Sequence, residues 1–138
     1  MDDVGIRLRQ IGRVQSVLTE LAAAPKQGDE GAPDAFLELV PDVIDGLEGI
    51  AVGDRIIVLT WLDRADRSVL RVHPRGDATS PMQGVFSTRS PDRPNPIGLH
   101  DVVVLAVAQQ RLKVSGLEAL DGTPILDLKP VLGPISSR

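Results

Sequence analysis

The chain has 138 residues, a formal net charge of −4, 42% apolar and 25% charged residues, and no cysteine. That balance is typical of a globular domain with one core, and residues 1–138 read as a single domain. It excludes a disulfide framework and thiolate chemistry. No stretch reaches the roughly 20 apolar residues that span a bilayer, and Met1-Asp2-Asp3 opens no apolar signal segment, so a cytoplasmic protein without a membrane partner is expected.

In chain order, residues 4–18 alternate loosely through Ile6, Leu8, Ile11, Val14 and Val17, which predicts a strand with a break near Gly12. Residues 22–34 (AAAPKQGDEGAPD) read as a loop. Ala35 to Val40 predicts a short strand. Pro41 to Gly46, with Pro first and Gly last, predicts one helical turn. Val52-Gly53-Asp54 turns into Arg55–Leu62, a β-branched run that predicts a central strand. Asp63 to Asp66 is a polar turn, and Ser68 to His73 suggests the hairpin partner of that strand. Gln83 to Ser87 predicts a short strand. Leu99 to Ala108 is a long apolar run, Arg111 to Leu117 another strand, and Ile125 to Leu128 a last one. Short strands with turn signals roughly every 8–12 residues indicate an all-β barrel or sandwich.

Several common chemistries lack their motifs. Gly46, Gly49 and Gly53 do not have G-x-G-x-x-G spacing or a strand–loop–helix context. His73 and His100 are the only histidines and have no metal-ligand spacing, so no metal is expected and a structural role is the simpler reading for both. Ser90, Asp92 and His100 lack the G-x-S-x-G elbow of a hydrolase. Arginines gather at Arg64, Arg67, Arg71, Arg75, Arg89 and Arg93, while acids concentrate between Asp29 and Asp54, so the charge is two-faced. The aromatics are Phe36, Trp61 and Phe86 alone, so base stacking would fall largely to arginine.

The most informative run is Gly84–Asp101, GVFSTRSPDRPNPIGLHD. Pro91, Pro94 and Pro96 each fix φ and remove a donor, which pre-sets an extended path displaying Arg89, Arg93 and Asn95. A second run is Asp121–Pro130, DGTPILDLKP. Its Asp-Gly is a turn signal, and Asp127 and Lys129 share one face of a strand. That pair is either a surface ion pair or a base with its orienting partner.

The string Thr88–Gly98 closely resembles the signature of the TsaA/TrmO-like family, and Asp121–Pro130 resembles its C-terminal motif. A fainter match covers Ile11–Ser16, with Pro25-Lys26-Gln27 after it. The resemblance implies an S-adenosylmethionine-dependent methyltransferase on a small antiparallel β-barrel with short helical turns. It also implies a homodimer with the cofactor near the interface. The best-known members methylate N6 of threonylcarbamoyl-adenosine beside the tRNA anticodon. The chain resembles the single-domain form; larger members carry a C-terminal extension not found in these residues.

Carried onto this chain, the cofactor site comprises Phe86, Ser87, Thr88, Arg89, Asn95, Pro96, Ile97 and Gly98, with Leu117, Leu120, Asp121, Gly122, Thr123 and Pro124. Arg89, Asp127 and Lys129 are the expected catalytic groups; Gln15, Ser16, Gln27 and Arg93 are expected to meet substrate. The chain departs from the family pattern at Val17, where Pro often follows Ser, and at Val131, where Tyr often follows Lys-Pro. Methyl transfer from a sulfonium asks the protein to align the acceptor, exclude water and help remove a proton. The alternatives are a methyltransferase of a small heteroaromatic metabolite and a non-catalytic ligand-binding barrel.

Overall fold

The computed structural model describes residues 5–19 and 31–133. Its strands are β1 (Gly12–Gln15), β2 (Ala35–Leu39), β3 (Arg55–Trp61), β4 (Arg71–Val72), β5 (Gln83–Gly84), β6 (Ile97–Val107), β7 (Arg111–Val114) and β8 (Pro124–Pro130). Six of them form one large antiparallel sheet in the order β1-β2-β7-β6-β3-β8, and β1 pairs with both β2 and β8, so the sheet closes as a barrel. Closure leaves this six-stranded sheet without an open edge. The mostly-strand, antiparallel reading of the sequence therefore holds. Short 3-10 turns occupy Pro41–Leu47, Pro74–Gly76 and Val85–Ser87.

Alternation fills the interior. Val14, Leu37, Leu39, Ile56, Val58, Val102, Val104, Leu112, Val114 and Ile125 point inward and are nearly or fully buried. Each buried side chain of this size contributes about 1.5–3 kcal/mol before ordering costs. β6 serves two neighbours. It pairs with β3 from Ile97 to Val103 and with β7 from Val104 onward, across a register shift between Val104 and Ala106.

Four local expectations need correction. The strand expected over residues 4–18 shrinks to β1, and Gly12 starts it instead of breaking it. A Cβ at Gly12 would sit 2.2 Å from the Glu38 carbonyl oxygen, so glycine is what lets β1 approach β2. Ser68–His73 is not the hairpin partner of β3. Only Arg71 and Val72 are strand, and they pair with β5 in a separate two-stranded ribbon. The cause is that β6 and β8 already occupy both edges of β3. The strand expected over Gln83–Ser87 stops at Gly84 and continues as a 3-10 turn. β7 ends at Val114, because the Ser115 amide donates to the Val103 carbonyl and the Ser115 hydroxyl accepts from the Val103 amide. The motif at Pro25-Lys26-Gln27, and most of the expected 22–34 loop, lie outside the described residues.

Between β3 and β6 the chain makes a long excursion carrying the β4–β5 ribbon. Its base is closed by the Leu62 amide, which donates to the Pro96 carbonyl at 2.8 Å. Among the described residues no helix is long and apolar enough to cross a membrane.

Candidate functional site

Both motif-bearing segments arrive at one end of the barrel. Thr60 on β3 pairs with Gly98 on β6 at one side and with Ile125 on β8 at the other. The end of the proline-rich loop and the start of the DGTP strand are therefore both neighbours of one β3 residue.

The loop is braced from within. Arg93 donates to the carbonyls of Val85 and Thr88. The Thr88 hydroxyl donates to the Val85 carbonyl at 3.0 Å and accepts from the Ser90 amide; the Ser90 hydroxyl accepts from the Asp92 amide. Arg67 ties this loop to β3. It donates to the Pro94 carbonyl at 2.7 Å and the Asn95 side-chain oxygen at 3.2 Å, and lies 5.1 Å over the Trp61 ring. Arg93, expected to meet substrate, is thus engaged by its own loop, and Asn95 by Arg67. Pro96 is buried and Ser87 donates to the Gly84 carbonyl. What the brace leaves outward is Phe86, 82% exposed, and Arg89, exposed and without a side-chain partner among the described residues.

The DGTP turn is zipped to β1. The Asp121 amide donates to the Leu18 carbonyl and the Gly122 amide to the Val14 carbonyl, both at 2.7 Å, while the Ser16 amide donates to Asp121 Oδ1 at 3.0 Å. Gly122 takes φ +84°, the left-handed conformation its position in the turn demands. The Thr123 hydroxyl donates to the Leu120 carbonyl at 2.7 Å. The N-terminal motif and this turn therefore meet, at Ser16 and Asp121. Gln15 points elsewhere: its side chain bonds Glu38 and accepts from Arg111, which itself lies over Phe36. Leu117 and Leu120 are buried, Leu117 within the main core, so they support the turn from beneath. Pro124 is half-buried, opposite Arg13. Gln27 lies outside the described residues.

On the outer face, β8 carries Asp127 and Lys129, with Lys129 Nζ 3.5 Å from Asp127 Oδ2. They are exposed and pair with Leu59 and Ile57 of β3, whose other partners are Leu99 and Asp101 of β6. Ile97 and Leu99 are each 44% exposed, so this face has apolar residues between its charged pairs, Asp127–Lys129 and Arg55–Asp101.

Inside the same end is a polar chain that motif reading missed. His100 Nε2 lies 2.7 Å from Thr60 Oγ1, and His100 Nδ1 lies 2.5 Å from Glu118 Oε1. Thr60 and His100 are buried, and a Cβ at Gly98 would fall 2.3 Å from Thr60 Oγ1. Parity was the available signal. Thr60 shares a face with Ile56 and Val58, and His100 with Val102 and Val104, so both had to point inward.

Two carboxylates of the excursion have pKa values held below the usual aspartate value. Asp66 accepts from the hydroxyl and then the amide of Ser68. Asp77 accepts from the Thr79 hydroxyl, the Thr79 amide and the Ser80 hydroxyl. Both are turn-forming contacts. Two clefts among the described residues are small: one of about 200 Å³ borders Gly12, Arg13, Glu38 and Gln110, and one of about 150 Å³ borders Arg13, Gln15, Asp121 and Gly122. Neither reaches the roughly 300–1,000 Å³ in which proteins bury a ligand of drug or cofactor size.

The family model described as the tRNA-methyltransferase O N-terminal domain matches residues 13–135. The chain belongs to that family. The chain is 42% identical over 99% of its length to a probable S-adenosyl-L-methionine-binding protein of Methanothermobacter thermautotrophicus, covering 98% of that protein. It is 45% identical over 88% of its length to an S-adenosyl-L-methionine-binding protein of Archaeoglobus fulgidus, covering 86% of it. The crystal structure of TrmO from Pseudomonas aeruginosa superposes with a TM-score of 0.73 at 32% identity over 94% of this chain. This chain spans 57% of that one, little more than half its length.

The exposed groups suit the TrmO cofactor chemically. Arg89 is a guanidinium without a side-chain partner among the described residues, fit for a carboxylate; Phe86 and Ile97 are exposed apolar surface; at Gly122 nothing stands within 4 Å of where a Cβ would be.

Proposed function

We propose that this chain is an S-adenosylmethionine-dependent methyltransferase whose acceptor is N6 of threonylcarbamoyl-adenosine next to the tRNA anticodon. The observation that carries the reading is the family match over residues 13–135, in a fold where both motif segments border Thr60. The bound cofactor supplies an electrophilic methyl group. Arg89 holds the carboxylate of its methionine moiety by a charge-assisted pair. Phe86 and Ile97 would supply apolar walls, and the backbone around Gly122 and Thr123 would line the nucleoside side of the site. Asp127, oriented by Lys129, receives the proton that leaves the acceptor amine.

An RNA acceptor is favoured by the excursion. Arg64 and Arg71 are exposed on it, which supplies cations for phosphates despite the net charge of −4. A homodimer is the second element of the proposal. The two clefts described above are each smaller than the cofactor needs, and the outer face of β6 displays Ile97, Leu99, Leu105 and Val107. A second copy packed there would exclude water from a surface site.

The test is methyl transfer from labelled S-adenosylmethionine to bulk tRNA lacking this methyl group, run beside a metabolite extract. Label in the modified adenosine is the expected result. Label in a small molecule only would replace the RNA acceptor and keep the chemistry. No cofactor binding by calorimetry would overturn the methyltransferase reading altogether.

A further inference from the structure

The polar chain Thr60–His100–Glu118 is unusual for where it lies. Most of the buried side chains are aliphatic, yet at the motif end a threonine, a histidine and a carboxylate are joined end to end. The Glu118 side chain is only 16% exposed and lies between Leu117 and Ala119, both buried. Taking such a carboxylate out of water is unfavourable unless a donor meets it, and His100 is the partner that does. A set of aliphatic side chains would fill the same volume without that penalty, so the network calls for a role beyond stability.

Its three members stand on three different segments. Thr60 is on β3, between Gly98 and Ile125. His100 is on β6, two residues beyond Gly98 and directly continuous with the proline-rich loop. Glu118 is in the β7–β8 connection, three residues before Asp121. The Asp121–Thr123 turn is held on its outer side by hydrogen bonds to Leu18 and Val14. On its inner side, Glu118 draws the connection toward β6. Gly98 completes the arrangement, because a Cβ there would lie 2.3 Å from Thr60 Oγ1 and 2.7 Å from His100 Nε2. Any side chain at 98 would push the histidine off its partners.

We propose that Thr60, His100 and Glu118 form an internal strut that sets the Asp121–Pro124 turn against the proline-rich loop, with His100 as its positioning residue. The inference rests on the cofactor site proposed above. His100 touches neither cofactor nor acceptor. It acts by holding Glu118, and through it the spacing of the two surfaces that grip the ligand. Misplacing a reacting group by about 1 Å can cost roughly a hundredfold in rate, so a buried strut can matter to turnover without contacting substrate.

The chain's two histidines make the test clean. In the 15N-labelled full-length protein, long-range proton–nitrogen correlation reads the ring nitrogens of both. His73, bonded to the Ser80 carbonyl in the ribbon, is the reference. Saturation with S-adenosylmethionine should move the His100 ring signals and leave those of His73 in place. By calorimetry, His100→Ala should weaken cofactor binding about tenfold, and His100→Gln, which keeps a donor and an acceptor, should recover part of the loss. Glu118→Gln should show the same loss with a smaller effect on folding. If the His100→Ala protein does not fold, the wild-type titration and Glu118→Gln decide. Wild-type cofactor binding with an unmoved His100 ring and an unchanged Kd in Glu118→Gln would overturn the strut alone. A wild-type chain that binds no S-adenosylmethionine would overturn both the strut and the cofactor site.

Discussion

Arg89 and Arg93 are four residues apart in the same loop and do different things. Arg93 faces two backbone carbonyls and braces the loop; Arg89 has no side-chain partner among the described residues. Arg93→Ala should therefore lower stability by about 2 kcal/mol, the range for hydrogen bonds to a charged group, read as a drop in the urea midpoint at constant m. Arg89→Ala should stay within about 0.5 kcal/mol of wild type in the same assay while losing methyl transfer. Wild-type kcat/KM in Arg89→Ala would remove Arg89 from the site. Asp77 supplies a pH prediction at the same scale. Its folded pKa is depressed, so the turn it caps is stabilised above the unfolded pKa and loses that support as pH falls through the folded value. Its carboxyl titration midpoint by NMR should lie below the ordinary 3.8, and Thr79→Ala should move it upward.

Two glycines control how the strands meet. At Gly12 the obstacle to a Cβ is backbone, the Glu38 carbonyl 2.2 Å away, which has no rotamer to escape into. Gly12→Ala should cost about 3 kcal/mol, seen as a lowered Tm. At Gly98 the obstacles are the side chains of Thr60 and His100. Gly98→Ala should therefore be rescued in part by Thr60→Ala, a non-additive pair in a double-mutant cycle. Additive costs would show that the close packing at Gly98 is with something else. β3 was legible as a strand in its β-branched residues and β6 as a long apolar run, because both carry the apolar side chains that line the core. The extent of β4 and β5 was not, since both are short and pair only with each other.

For the whole molecule, the outward row Ile97–Leu99 beside Leu59 is apolar surface in a barrel that has no open sheet edge. Leu99→Glu puts a charge in the middle of that row while leaving the inward face untouched. If a second copy covers it, sedimentation should change from twice the chain mass to the chain mass, and cofactor affinity should fall with it. A wild-type monomer at micromolar concentration that binds the cofactor would show instead that the open surface suffices.

The sequence by itself determined the all-β class, because alternation and turn chemistry are local properties written residue by residue. It also determined the family, because Thr88–Gly98 and Asp121–Pro130 are long strings of unusual residues. Tertiary structure alone decided which members of those strings face outward. Arg93 and Arg89 are the same residue type in the same loop, and the position of the Val85 and Thr88 carbonyls makes a brace of Arg93 while Arg89 has no side-chain partner among the described residues. It decided too that Leu117 supports the site from the core and that Gln15 turns to Glu38 and Arg111. The Thr60–His100–Glu118 chain joins residues 40 and 18 positions apart in sequence. Such a contact depends on barrel closure and strand register, which no local pattern encodes.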